Sequence, residues 1–229
     1  RSDFCVAMAA PSTFLDAMHY RRSIYQLNNT SPISDDQIVS IANSVIQDVP
    51  SSFNSQSTRL VVLLHDEHVQ FWNIVLECLR AIVPEGAFLK TEKRIAGFRN
   101  SYGTLTNITS ERSYFTRTKR PSKISRQNMS SMRSGSPQWG EHTSGMHQYA
   151  LWVALEAEGL GANIQHYNPL VDQQAAFAWD IPENWQLKAQ LIFGGCESAA
   201  RESLPPKTQR PVEARLSVHG SRSDGVGSV

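Results

Sequence analysis

The stretch Glu141–Pro169, EHTSGMHQYALWVALEAEGLGANIQHYNP, reads as one long buried helix turning into one strand. Between Met146 and Leu160 the residues Met146, Tyr149, Ala150, Leu151, Trp152, Val153, Ala154, Leu155, Ala157 and Leu160 leave no polar stripe. A helix apolar all round has to be covered on most sides. Thr143 or Ser144 is suited to cap its start, and Gly159 to end it in the left-handed conformation. Gly161 lets the backbone approach a neighbour closely. Glu156 and Glu158 fall in the last turn, where the helix dipole disfavours acids, so tertiary partners are needed there.

The other elements follow from working outward. Thr13–Ser23 places Phe14, Leu15 and Met18 on one helical face and Arg21 and Arg22 at its end. The bland reading is a solvated helix end; the sharper one is that Arg21, Arg22 and Ser23 present two guanidinium forks and a hydroxyl as a phosphate grip. Ser34 and Gln37 form a capping box for a helix burying Ile38, Ile41, Val45 and Ile46. The loop PSSFNSQS (50–57) leads into a strand at Leu60–Leu64. It is either an ordinary turn or a row of short donors and acceptors able to read a heteroaromatic edge. Asp66 caps the next helix, with Phe71, Trp72, Val75 and Leu79 inside and His65 and His68 at the surface, and another helix runs from Pro84 to about Phe98. Beyond the central stretch come a strand at 162–167, a helix at 171–179, a strand at 185–193, a linker over 194–206 and an extended arm over 207–220.

Composition narrows the function. The formal net charge of +1 suits neither a nucleic-acid binder nor a membrane-surface protein, but seven of the 22 basic side chains crowd into residues 112–136. The stretch 105–137 that contains them lacks a period of either two or 3.6 and reads as disordered, either a solvated insert or, through 112–136, an RNA-binding segment. Cys5, Cys78 and Cys196 are odd in number and far apart, which points to free thiols in a reducing compartment, cytoplasmic or nuclear. No apolar run approaches the roughly 20 residues of a membrane span. His142, His147 and His166 have no carboxylate at ligand spacing, so no metal site is expected.

RRSIYQL near the start, PSSFNSQS before a strand, a core helix ending in EAEGLGAN and a basic C-terminal arm resemble the FMN-dependent nitroreductase family. SGMHQYALWVALEAEGLGANIQHYNP and WDIPENWQLKAQLIFG are similar to its small fungal and bacterial branch, associated with oxidative-stress response and fatty-acid-dependent regulation. The resemblance covers about residues 14–100 and 138–220. It implies an α+β, three-layer α/β/α fold with a mixed, mainly antiparallel sheet around a buried central helix, over residues 13–220 between a disordered lead (1–12) and a disordered tail (221–229). It also implies a homodimer with FMN at the subunit interface, NADH or NADPH as electron donor and a small nitroaromatic or quinone as acceptor. Arg21, Arg22 and Ser23, joined by Lys207 and Arg210 from the arm, would hold the FMN phosphate. Pro50, Ser51, Ser52, Asn54 and Gln56 of the partner subunit would face the ring or ribityl chain, and Leu160 and Gly161 would bring backbone close to the flavin. Ser57 and Gln209 depart from the pattern, which usually has Pro and a second cation there. Two other readings are an FMN-binding regulatory protein with little turnover and an RNA-binding protein using 112–136.

Soon after the position of Gly103 the family has an apolar strand ending in an acidic pair, then a short helix. Here Arg/Ser text stands instead, which predicts that one sheet strand is lost within 105–136. Read one base out of register, permitted codons from Ser113 onward encode Leu-Leu-His-Glu-Asp, and those from Asn128 onward Tyr-Val-Leu-Tyr-Ala, strings that look like the missing strand and helix. A misplaced exon boundary or two compensating frameshifts accounts for both.

Overall fold

The computed structural model describes residues 13–110 and 126–221, with side chains described over 13–109 and 138–221. The expected lead over 1–12, the centre of the Arg/Ser segment and the tail from 222 lie outside the described residues. Near the start, α1 (Phe14–Tyr20) is capped by Thr13, whose hydroxyl accepts from the Asp16 amide at 3.1 Å. The expected reciprocal capping box of Ser34 and Gln37 opens α2 (Asp35–Asp48). Then come β1 (Thr58–Leu64), α3 (His65–Arg80), α4 (Glu85–Arg99), β2 (Gly103–Ser110), the long α5 (Arg126–Ala157), β3 (Gly161–Gln165), α6 (Asp172–Ala178), β4 (Trp185–Gly194) and α7 (Ser198–Glu202).

The four strands are antiparallel in the order β1-β2-β4-β3, and Ser23 adds a single parallel bridge to Ala162 outside β3. Alternate strand residues serve opposite faces. Leu105, Leu191 and Phe193 pack with Ile38, Ala42 and Val45 of α2 and Leu151 and Leu155 of α5. Leu63, Ile108, Leu187 and Ile192 pack instead with Phe71, Trp72 and Val75 of α3, Ile95 and Phe98 of α4 and Ala175 of α6. The result is the three-layer α+β architecture implied by the sequence, with α5 on one face.

The strand expected to be lost is present, because residues 103–110 form β2 in the interior of the sheet. Its register runs from Gly103 opposite Leu64 to Thr109 opposite Thr58 on one side, and from Gly103 opposite Phe193 to Ser110 opposite Trp185 on the other. Leu105 and Ile108 are fully buried, and β-branched Thr104, Thr106 and Thr109 suit a pleated surface despite their hydroxyls. A Cβ on Gly103 would lie 2.5 Å from Phe193 Cζ and 2.8 Å from Leu64 Cδ2, so any larger residue at the strand's entry has to push those two side chains aside.

Three local expectations are corrected. Thr143 and Ser144 do not begin the central helix. It already runs from Arg126, and the Thr143 hydroxyl donates back to the Trp139 carbonyl at 2.9 Å. Asp66 does not cap α3, which starts at His65 with Leu64 at the cap and no side-chain cap bond. His68 is not at the surface; it is fully buried. By contrast Gly159 does leave α5 in the left-handed conformation, φ 87°.

Candidate functional site: a cation cradle and a polar groove

The end of α1 meets the last turn of α5 around one carboxylate. Glu156 is 1% exposed and accepts three hydrogen bonds from three residues: the Trp152 indole on Oε1 at 2.8 Å, and the Arg22 amide (3.0 Å) and Arg201 Nη2 (2.8 Å) on Oε2, the last as an ion pair. Here are the tertiary partners that the acidic last turn requires. Burial pushes the Glu156 carboxyl up, against the opposing pull of Arg22, Arg201 and Trp152. Arg21 stacks its guanidinium 4.2 Å over the Trp152 ring, and its buried Nε has no hydrogen-bond partner among the described residues. Ser23 is pinned to β3 through its bridge to Ala162, with the Ile24 amide donating to the Ala162 carbonyl at 2.9 Å.

The C-terminal segment closes the cradle. Arg22 reaches the Pro205 carbonyl, and Lys207 Nζ donates to the carbonyls of Met18 (3.3 Å) and His19 (2.5 Å). Burial lowers the Lys207 ammonium pKa, and the positive charges of Arg21, Arg22 and Arg201 lower it further, against the pull of Glu156. Four cations thus surround a single buried anion. Arg210 lies exposed farther along the arm, its carbonyl accepting from Arg215. Arg201 was missed in the sequence because its stretch reads as linker; the structure folds that stretch into α7.

The second feature is a groove of about 680 Å³ lined by Ile46, Val49, Pro50, Ser51, Asn54, Gln56, Arg59 and His147 among others. Ser52 belongs to the single turn Ser52–Asn54 beside it. Phe53 (φ 54°), Asn54 (φ 52°) and Gln56 (φ 51°) all hold left-handed backbone, which is uncommon without glycine and marks this loop as held in shape by its surroundings. Gln56 donates its amide to Ser51 Oγ at 2.8 Å and its side-chain nitrogen to Asn54 Oδ1 at 3.2 Å. Phe53 rests against Trp139 at 5.7 Å between rings. His147 is nearly buried, its Nδ1 donating to the Thr143 carbonyl at 2.8 Å, and burial lowers its pKa, so the ring is neutral.

Cradle and groove do not meet within one chain. His147, on the groove, and Glu156, in the cradle, are nine residues apart on α5, which puts them roughly 180° around the helix and about 13 Å along it. Leu160 is fully buried, and a Cβ on Gly161 would lie 2.7 Å from Leu27 Cδ2 and 3.1 Å from Cys196, so the space a side chain would take there is filled by neighbours in the same chain. Among the described residues no cluster of His, Cys, Asp and Glu could hold a metal ion, and no helix is long and apolar enough to cross a membrane.

A three-layer α+β scaffold with a cationic cradle at the end of its first helix and a polar groove beside its central helix points to the class of nitroreductase-type oxidoreductases. The nitroreductase family model matches residues 18–195, and the chain belongs to that family. It is 35% identical over 190 residues to the putative nitroreductase HBN1 of Saccharomyces cerevisiae, covering 82% of this chain and 90% of the relative, and 30% identical over the same shares to the yeast nitroreductase FRM2. Among solved structures, nitroreductase CinD from Lactococcus lactis, in complex with nicotinic acid, superposes with a TM-score of 0.77 at 29% identity, over 90% of this chain and 100% of that one. A Desulfitobacterium hafniense nitroreductase with bound FMN shares the fold at 15% identity, with a TM-score of 0.63 over 93% of this chain and 100% of that one.

Proposed function

We propose that the protein is an FMN-dependent oxidoreductase that takes electrons from NADH or NADPH and delivers them to a nitroaromatic or quinone acceptor, working as a homodimer in the cytoplasm or nucleus in the response to oxidative stress. The observation that carries this reading is the cradle, where Arg21, Arg22, Arg201 and Lys207 crowd around the one carboxylate of Glu156. A phosphate dianion fits it. It would give the orphaned Arg21 Nε an acceptor and relieve the mutual repulsion that lowers Lys207, at about 1.5–3 kcal/mol per charged hydrogen bond.

Arg21, Arg22, Ser23 and Lys207 would hold the phosphate, with Arg210 reaching in from the arm. Pro50, Ser51, Ser52, Asn54 and Gln56 would supply fixed donors and acceptors to the ring and ribityl chain, and Leu160 and Gly161 the backbone behind them. Because cradle and groove lie on opposite sides of α5, one flavin meets both sets only if the groove belongs to a second copy, which supports the homodimer. The bound flavin supplies the redox chemistry, accepting hydride from the nicotinamide and passing electrons on. The residues bind, orient and exclude water, and none is assigned as acid, base or nucleophile. Absorption spectra with and without FMN, followed by NADH and NADPH oxidation with quinone and nitroaromatic acceptors, test the proposal. A protein that stays colourless after FMN addition overturns it, and a yellow protein without turnover replaces it with the FMN-binding regulatory reading.

A further inference from the structure

We infer that Arg201 is a positioning residue that shapes the anion cradle without being one of its ligands; the inference rests on the phosphate-binding reading above. The Arg201 side chain is 11% exposed, and both terminal nitrogens of its fork donate inside the protein. Nη1 donates to the Tyr20 carbonyl at 2.8 Å, Nη2 to Glu156 Oε2 at 2.8 Å, and the guanidinium lies 3.9 Å over the Tyr20 ring. From there two paths reach the cradle. Through Oε2 of Glu156 the contact passes to the Arg22 amide at 3.0 Å; through Oε1 it passes to the Trp152 indole at 2.8 Å and on to Arg21, stacked at 4.2 Å. Both guanidinium-bearing residues are therefore set by one carboxylate, and Arg201 holds that carboxylate to the end of α1. A lysine keeps the charge but cannot span Tyr20 and Glu156 with a planar fork.

The test uses the full chain, with wild type compared to Arg201→Lys and Glu156→Gln. Inorganic phosphate is scored by thermal shift, and FMN and riboflavin by quenching of flavin fluorescence. Both variants are expected to lose the phosphate shift and to weaken FMN by about tenfold or more, the loss of one charged hydrogen bond's geometry, with riboflavin unchanged. Glu156→Gln is the sharper arm, because it makes the cradle more positive; a role through charge alone tightens FMN there and leaves Arg201→Lys like wild type, and either result overturns the inference. So does parallel weakening of FMN and riboflavin, which marks a general packing role. A wild type that responds to phosphate but binds neither flavin, with the response lost in both variants, keeps Arg201 in this role and removes the flavin reading. A wild type indifferent to phosphate and to both flavins overturns both.

Discussion

His68 Nδ1 and Thr104 Oγ1 meet at 2.8 Å in the interior between α3 and β2. Thr104 also accepts from the Trp72 indole at 3.0 Å, and His68 Nε2 donates to the Phe98 carbonyl at 3.0 Å. With His68 neutral, Nδ1 accepts the Thr104 hydroxyl proton while the same oxygen accepts from Trp72, and a second ring proton would force that hydroxyl to turn away. Burial drives its pKa down to about 4. The unfolded chain therefore binds the extra proton between the ordinary histidine pKa and 4, so stability is full above pH 6.5, falls as pH drops to about 4 and is level below. The fall is about 3 kcal/mol. Urea unfolding across this range should show it, and His68→Gln should flatten it; a wild-type profile already flat there would contradict the arrangement.

Asn107 is fully buried in β2, and among the described residues neither side-chain amide atom has a hydrogen-bond partner. An orphaned buried polar group costs about 1–3 kcal/mol. Asn107→Val, of nearer volume than Leu and suited to a strand, should raise the urea midpoint at unchanged m-value; an unchanged or lower midpoint would mean Asn107 has partners in solution. The same orphan lies in the stretch 105–136, which we propose is read out of the family's frame. Sequencing the transcript across codons 105–136 should recover the second, family-like frame, and an uninterrupted frame encoding the Arg/Ser peptide would sink that explanation.

A Cβ at Gly194 would lie 2.3 Å from the Asn28 carbonyl oxygen and 3.0 Å from the Tyr102 amide nitrogen. Both obstacles are backbone and cannot swing aside. Gly194→Ala should destabilise by about 1–3 kcal/mol, as overpacking does. Gly145 has nothing within 4 Å of its Cβ position, so Gly145→Ala serves as the control and should be neutral or stabilising. Thermal unfolding of the pair decides it.

Lys207 ties the arm to α1 while sitting among like charges, and its ammonium pKa is lowered by burial and then by Arg21 and Arg22. A phosphate raises it again, so at alkaline pH binding takes up a proton and affinity falls as pH rises through the free-state value. Titration calorimetry of FMN in two buffers of different ionisation enthalpy should report that uptake. Lys207→Met should abolish it and weaken FMN about tenfold while sparing riboflavin.

Much of this was legible locally. The capping box of Ser34 and Gln37, the Gly159 exit, the apolar girth of Leu151 and Leu155 and the paired guanidinium groups of Arg21 and Arg22 are short-range patterns, and helical periodicity and cap chemistry act within a few residues. Whether a polar residue is buried is a different kind of question. Asn107 and Thr109 belong to a stretch that reads as an aperiodic, solvated insert, yet they occupy an interior strand because β1 and β4 supply hydrogen bonds on both sides. Arg201 reads as linker until its fork finds Tyr20, 181 residues earlier, and Glu156. The sequence by itself determined most of the helices, the capping box of α2, the Gly159 exit and the family; only the tertiary structure decided which polar groups are inside, because desolvation is offset by partners that the chain brings together from far apart.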